Sequence, residues 1–217
     1  MRLRHDPAAA PFVAAHERVF CEDEAPAWRG KWRSLFGREQ SAPLHLEIGI
    51  GRGRFILNSC KASPDVCFLG LELRAEMVMQ AIERVKELPE NLYLLQLNAQ
   101  LLPELFAPDE IDVIYINFPD PWPKTKHAKR RLTSPGFLYT YKQVLREDGE
   151  IRFKTDNEGL FEWSLLTFEQ QGFRLCDVDH DLSEEDSGVI TEYEKRFRVK
   201  GQPIYFARAV KNGNSAQ

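Results

Sequence analysis

What this sequence has little of narrows it first. Its four cysteines, Cys21, Cys60, Cys67 and Cys176, stand far apart with no C-x-x-C pair, and its five histidines are as scattered. Disulfide frameworks and zinc sites need clustered ligands, so the thiols read as buried groups of a reducing compartment and no metal is expected. No apolar run approaches the ~18 residues of a membrane span. The start, Met1 to Arg4 with Ala8–Ala15 behind it, has a signal-like look, yet Pro11 breaks the run and His16, Glu17 and Arg18 close it. A cytoplasmic chain with no membrane partner is therefore expected. A positive balance is missing too: 29 Lys+Arg stand against 33 Asp+Glu, a formal −4. Taken as a whole, that charge disfavours a polyanionic partner.

What is present is an ordinary globular composition, 43% hydrophobic and 29% charged over 217 residues, enough for one substantial core. Residues 1–43 show no sustained periodicity and read as an irregular arm; from Leu44 the rhythm changes. Continuous apolar runs at 44–50, 66–73, 92–97, 112–118, 149–156 and 203–210 alternate with helical spacing at 55–62, 75–88, 134–145 and 158–171. The acidic stretch 174–190 fits neither pattern. Strands and helices alternating at this interval predict an α/β fold with a mainly parallel sheet, whose ligands sit at the carboxyl ends of the strands.

Two motifs fall at such ends. Glu47-Ile48-Gly49-Ile50-Gly51-Arg52-Gly53 follows the first strand and opens the first helix, where glycines let backbone amides approach a ligand. Against the dinucleotide pattern G-x-G-x-x-G the third glycine arrives one residue early. Glu47 is awkward beside a pyrophosphate and apt for a cation, while Glu72 ends the second strand where a carboxylate can accept from a ribose. An acidic glycine turn with a ribose reader suits S-adenosylmethionine, whose amino-acid end carries an ammonium beside a sulfonium.

The second motif, Asn117-Phe118-Pro119-Asp120-Pro121-Trp122-Pro123, closes the fourth run with three prolines that stiffen it. Directly after come Lys124, Lys126, His127, Lys129, Arg130 and Arg131. From Pro121 to Arg146 there are seven Lys+Arg and no acid, which leaves −11 for the remainder. A charge run is often only a solvated face; here it abuts a constrained loop, which favours a phosphate-backbone docking surface. Asp156, at the end of the fifth strand, reads as a rim residue or a helix N-cap. His180 reads as part of a solvated acidic loop. Spacing alone assigns no role to Thr191-Glu192-Tyr193-Glu194.

These segments together resemble a known family. EIGIGRG (47–53), NFPDPWPK (117–124), H-x-KRRL (127–132), FKTDN (153–157) and TEYE (191–194) stand in the order found in the bacterial tRNA (guanine-N7-)-methyltransferases. The resemblance covers residues 44–210, and RLRH (2–5) is similar as well. EIGIGRG is shared by many methyltransferases, whereas NFPDPWPK with H-x-KRRL is specific. The resemblance implies the class I methyltransferase fold, Rossmann-like, with a mainly parallel seven-stranded sheet and helices on both faces. It implies methyl transfer from S-adenosylmethionine to N7 of a guanine in the tRNA variable loop (position 46 of the tRNA). Matched residue by residue, it implies cofactor contacts at Glu47, Glu72, Asn98 and Asp120 around Gly49, Gly51 and Gly53. It further implies substrate contacts at Lys124, Asp156, Thr191, Glu192, Tyr193 and Glu194, and tRNA contact along Lys126, His127, Lys129, Arg130 and Arg131. Asp120 is the candidate catalytic residue. Asn98 departs from the family, which commonly has Asp there; its carbonyl still accepts from an adenine amine, but the charge is lost.

On this reading 1–43 is an RNA-contacting arm and 44–217 the catalytic domain of a monomer or homodimer. A methyltransferase for another RNA or for a small molecule shares the glycine turn without explaining the basic tract. A non-catalytic RNA-binding scaffold has no need of Glu47 and Glu72, and a dehydrogenase is disfavoured by the glycine spacing.

Overall fold

The structure, a computed structural model, describes residues 5–213, with the side chain of Glu192 excepted; Arg2, Leu3 and Arg4 of the RLRH segment lie outside the described residues. In chain order, α1 (Ala9–Ala14), β1 (Val19–Phe20) and α2 (Trp32–Leu35) precede β2 (Leu44–Ile48), α3 (Arg54–Ala62), β3 (Cys67–Glu72) and α4 (Ala75–Glu83). Then come β4 (Leu92–Gln96), α5 (Leu102–Leu105), β5 (Ile111–Asn117), α6 (Pro135–Val144) and β6 (Leu145–Thr155). The order closes with α7 (Glu158–Gln170), β7 (Phe173–Asp179), α8 (Glu192–Val199) and β8 (Tyr205–Lys211).

The strands form one sheet in the order β1-β4-β3-β2-β5-β6-β8-β7, parallel except where β8 runs antiparallel to both β6 and β7. Alternation along each strand sends side chains to two buried layers. Leu44, Leu46, Leu69, Ile114, Ile151 and Phe153 meet α5, α6 and α7 on one face, while Phe68, Leu92 and Leu94 meet α1, α3 and α4 on the other. Burial on both faces is why β2, β3 and β4 read as continuous apolar runs. Toward β6, β8 and β7 the α3 side is different: Arg152 pairs with Glu150, Glu150 with Arg208, and Arg208 with Asp177.

Four expectations need correction. The sheet has eight strands where seven were expected, because β1 adds an edge strand against β4. Residues 5–43 are not irregular. Their elements are two to six residues long, too short for periodicity to register, and tertiary contacts hold them. Trp32 is wholly buried with its indole N–H on the Leu105 carbonyl at 2.8 Å, and Glu110 accepts from the amides of Gly30, Trp32 and Ala107. The acidic stretch holds strand β7, and of the four free thiols only Cys60 and Cys67 are buried, Cys21 and Cys176 being half-buried.

Candidate active site

The parallel strands β4, β3, β2, β5 and β6 end on one side of the sheet, which brings Asn98, Glu72, Glu47, Asp120 and Asp156 to a common rim in that order. Strand order reverses between β2 and β5, the place where open α/β sheets bind ligands. A hydrogen bond spans this switch point: Asn117 Nδ2 donates to Glu47 Oε1 at 3.1 Å.

Glu47 is 2% exposed, and its second oxygen has no hydrogen-bond partner among the described residues. Burial pushes its pKa up to about 8; the bond from Asn117 and the nearby backbone amide of Ile56 oppose that, and the Glu72 carboxylate adds to it. An enclosed carboxyl with an empty oxygen is costly unless a donor completes it, and an ammonium is such a donor. Burial also raises the pKa of Glu72, which accepts from the amides of Gly51 and Arg74, each at 3.1 Å, and keeps lone pairs to spare.

Gly49, Gly51 and Gly53 all take left-handed backbone (φ 78°, 54° and 72°), but they serve different ends. A Cβ on Gly49 or Gly51 would meet nothing within 4 Å, so the space over them is open to a ligand. One on Gly53 would lie 2.8 Å from Ala81 Cβ, so this glycine lets α3 approach α4. Exposed Asn98 caps the turn Ala99–Leu101, its Oδ1 accepting from Gln100 N at 3.0 Å.

The proline-rich loop is constrained beyond its prolines. Phe118 and Trp122 have φ of 49° and 41°, left-handed values that non-glycine residues hold only when the surroundings impose them. Arg131 imposes part of this: it donates to the carbonyls of Pro121 and Trp122 and stacks over the Trp163 ring at 4.4 Å. Its guanidinium is thus committed to the loop, unlike the freer cation that the basic run suggested. Lys124, Lys126, Lys129 and Arg130 are exposed, the last lying over Trp122 at 4.9 Å with His127 edge-on to the same ring. Thr125–Arg130 form a short 3-10 turn. Asp120 is exposed and has no hydrogen bond among the described residues.

The α7 cap is Asn157, whose Oδ1 accepts from Leu160 N at 2.7 Å, so Asp156 is released from that duty. The TEYE residues divide. Thr191 caps α8 by accepting from Glu194 N at 2.9 Å. Glu194 is wholly enclosed, paired with Lys154 and Arg198 and bonded to Ser187, so its carboxylate does not face a substrate. Glu192's side chain lies outside the described residues. Tyr193 is 54% exposed and stacks on Phe118 and Phe197, which brings this segment to the proline loop. Asn117 and Lys154 lie within motifs the sequence singles out, though their partners there do not show; Ser187, Arg198 and Phe197 carry no spacing signal and emerge only from the fold.

Among the described residues no group of three or more His, Cys, Asp or Glu could hold a metal ion. The donor set instead fits S-adenosylmethionine: an unfilled buried carboxylate oxygen for its ammonium, an open glycine turn, and a second carboxylate one strand over.

Residues 41–207 match a family model described as "Putative methyltransferase". The tRNA (guanine-N(7)-)-methyltransferase of Bacillus licheniformis is 44% identical over 96% of this chain and 98% of its own length. That of Brevibacillus brevis is 46% identical over 96% and 98%. Among solved structures, the 16S rRNA methyltransferase KamB has a TM-score of 0.62 at 18% identity, covering 85% of this chain and 92% of that one. An antibiotic-related methyltransferase has a TM-score of 0.59 at 20% identity, over 83% and 92%. These two establish the class I methyltransferase fold.

Proposed function

Because this chain belongs to the tRNA (guanine-N7-)-methyltransferase family, we propose that it transfers a methyl group from S-adenosylmethionine to N7 of a guanine in the tRNA variable loop. The observation that supports this best is the unfilled Glu47 oxygen, set beside an open glycine turn and joined through Asn117 to a rigid loop that runs into exposed cations. Glu47 takes the cofactor's ammonium, Glu72 its ribose hydroxyls and Asn98 Oδ1 its adenine amine, with Gly49 and Gly51 leaving room. When bound, S-adenosylmethionine supplies a methyl group on a cationic sulfur.

Asp120 removes no proton in this reaction, because guanine N7 attacks through a free lone pair. Its exposed carboxylate positions cofactor and base and offsets the positive charge that develops on the purine. Asp156, Lys124 and Tyr193 hold the base at the rim. Lys126, His127, Lys129 and Arg130 meet the phosphate backbone beside it, and a loop base reaches them at least cost because it leaves no duplex stack.

Incubation with methyl-labelled S-adenosylmethionine and unmodified tRNA, then chemical cleavage at 7-methylguanine, tests this reading. Label and cleavage in the variable loop are expected; transfer elsewhere, or none, overturns it.

Residues 1–43 serve as the RNA-contacting arm and 44–217 as the catalytic domain of a cytoplasmic enzyme, monomeric or homodimeric. Among the described residues no helix is long and apolar enough to cross a membrane. The arm's RNA contact is assigned to its basic start, since Ala9 and Val13 of α1 are buried. Deleting residues 1–4 is therefore expected to weaken tRNA binding and leave cofactor affinity within about twofold, a shift of about 0.4 kcal/mol. Equal losses in both would make the segment structural.

A further inference from the structure

Lys154 has no part in the cofactor, base or RNA contacts assigned so far, yet two halves of the site meet on it. Pairing of β5 with β6 sets Asn117 opposite Lys154. The next amide, Phe118 N–H, donates to the Lys154 carbonyl at 2.8 Å, just before Pro119 and Asp120. The side chain of the same residue points away from Phe153 and its core layer, and it is 6% exposed. Its Nζ donates to the Ser187 carbonyl at 2.8 Å, to Ser187 Oγ at 2.7 Å and to Glu194 Oε2 at 3.3 Å. Arg198 and Ser187 serve the other Glu194 oxygen, so Oε2 has Lys154 as its partner among the described residues.

Among the described side chains, helix α8 has little else with which to grip the sheet. Lys195, Arg196 and Val199 are exposed, and Tyr193 and Phe197 face Phe118 in a stack of three nearly parallel rings. The attachment is therefore ionic from below and aromatic from the side, and both routes lead to Lys154. A buried ion pair is weak evidence of added stability, whereas breaking one by removing a partner is strongly disruptive because a buried charge is left uncompensated.

We propose that Lys154 is a positioning residue for methyl transfer, fixing through its carbonyl and its ammonium where Tyr193 stands relative to Asp120. This rests on the reading given under Proposed function. With the ammonium removed, α8 shifts and the base is presented out of line, while Glu47 and Glu72, on β2 and β3, keep their places.

The test is Lys154→Met in the full chain, with Lys154→Arg and the charge-neutral pair Lys154→Met/Glu194→Gln beside it, the pair serving if the single variant does not fold. Wild-type tRNA methylation in the same assay checks the parent reading separately. In Lys154→Met, and in the pair, kcat at saturating tRNA is expected to fall about tenfold or more, as orientation losses do. S-adenosylhomocysteine affinity, read by calorimetry, stays within about twofold, or about 0.4 kcal/mol. Backbone amides of α8 exchange faster, whereas that of Phe118, bonded to a carbonyl every variant retains, does not. Lys154→Arg recovers most of kcat by keeping the cation. A folded Lys154→Met or pair with kcat near wild type, or one that loses cofactor affinity in step with its melting temperature, overturns the proposal.

Discussion

At Glu47 a carboxyl group is shut away from water with one oxygen unpaired, and two measurable effects follow. Its pKa stands at about 8 against an ordinary 4.5, so the cofactor-free protein holds it protonated at neutral pH. Such a group contributes its stability below pH 4.5 and loses it as pH climbs through 8, because only the unfolded chain ionises early. Thermal melts of Glu47→Gln and wild type, both cofactor-free, are thus expected to diverge across that window in favour of the variant; parallel curves would place the proton elsewhere. An arriving ammonium requires the ionised form, so cofactor affinity rises with pH toward 8 and binding below it releases a proton, detectable by calorimetry in buffers of different ionisation enthalpy. Glu47→Gln weakens that affinity roughly 10- to 100-fold, the worth of one charged hydrogen bond, about 1.5–3 kcal/mol. Asn98 offers the converse experiment. Asp caps the turn equally well and adds charge toward an adenine amine, so Asn98→Asp is expected to tighten cofactor binding by about fivefold, close to 1 kcal/mol. An unchanged dissociation constant would remove Asn98 from the adenine site.

At the scale of elements, the basic segment after the proline loop holds two kinds of cation. Lys126 and Lys129 are exposed, while Arg131 ties down the carbonyls of Pro121 and Trp122. Lys126→Ala with Lys129→Ala is expected to flatten the dependence of log affinity on log salt by about one unit per lost phosphate contact, with kcat kept. Arg131→Ala should lower kcat and leave the salt slope alone. The same slope change for both sets would erase the distinction. Sequence could not draw this line, since both kinds stand in one run of like charge. It did show the frame: β2 to β6 as apolar runs, the glycine turn after β2, the stiff loop after β5, and the rim that carries Glu47, Glu72 and Asp120. It missed α1, β1 and α2, whose few residues take their shape from contacts far along the chain. It missed β7 because an edge strand with charge on its open face and a register shift near Cys176 keeps no clean alternation. The enclosure of Glu194 was hidden for a related reason: TEYE reads as a surface until Lys154 is placed beneath it.

For the whole molecule, the net of −4 is an average over opposed regions, seven cations between Pro121 and Arg146 against −11 elsewhere. Fields decay over about 8 Å in physiological salt, so an anionic strand senses the rim and not the total. The order of the sheet carries one more consequence, and it concerns time. Among the described residues, strand β7 bonds to the sheet only through β8, which follows both β6 and β7 in sequence and lies between them. A ribosome delivers β6 and β7 before the piece that joins them. Until residue 205 emerges, β6 offers an unpaired edge and β7 has no neighbour, the state in which edges find wrong partners. Chains stopped at residue 202 should therefore sediment as aggregates where chains stopped at 213 stay dispersed; equal solubility would mean β6 is shielded some other way. The strand that follows both in sequence is the one that lets them stop searching.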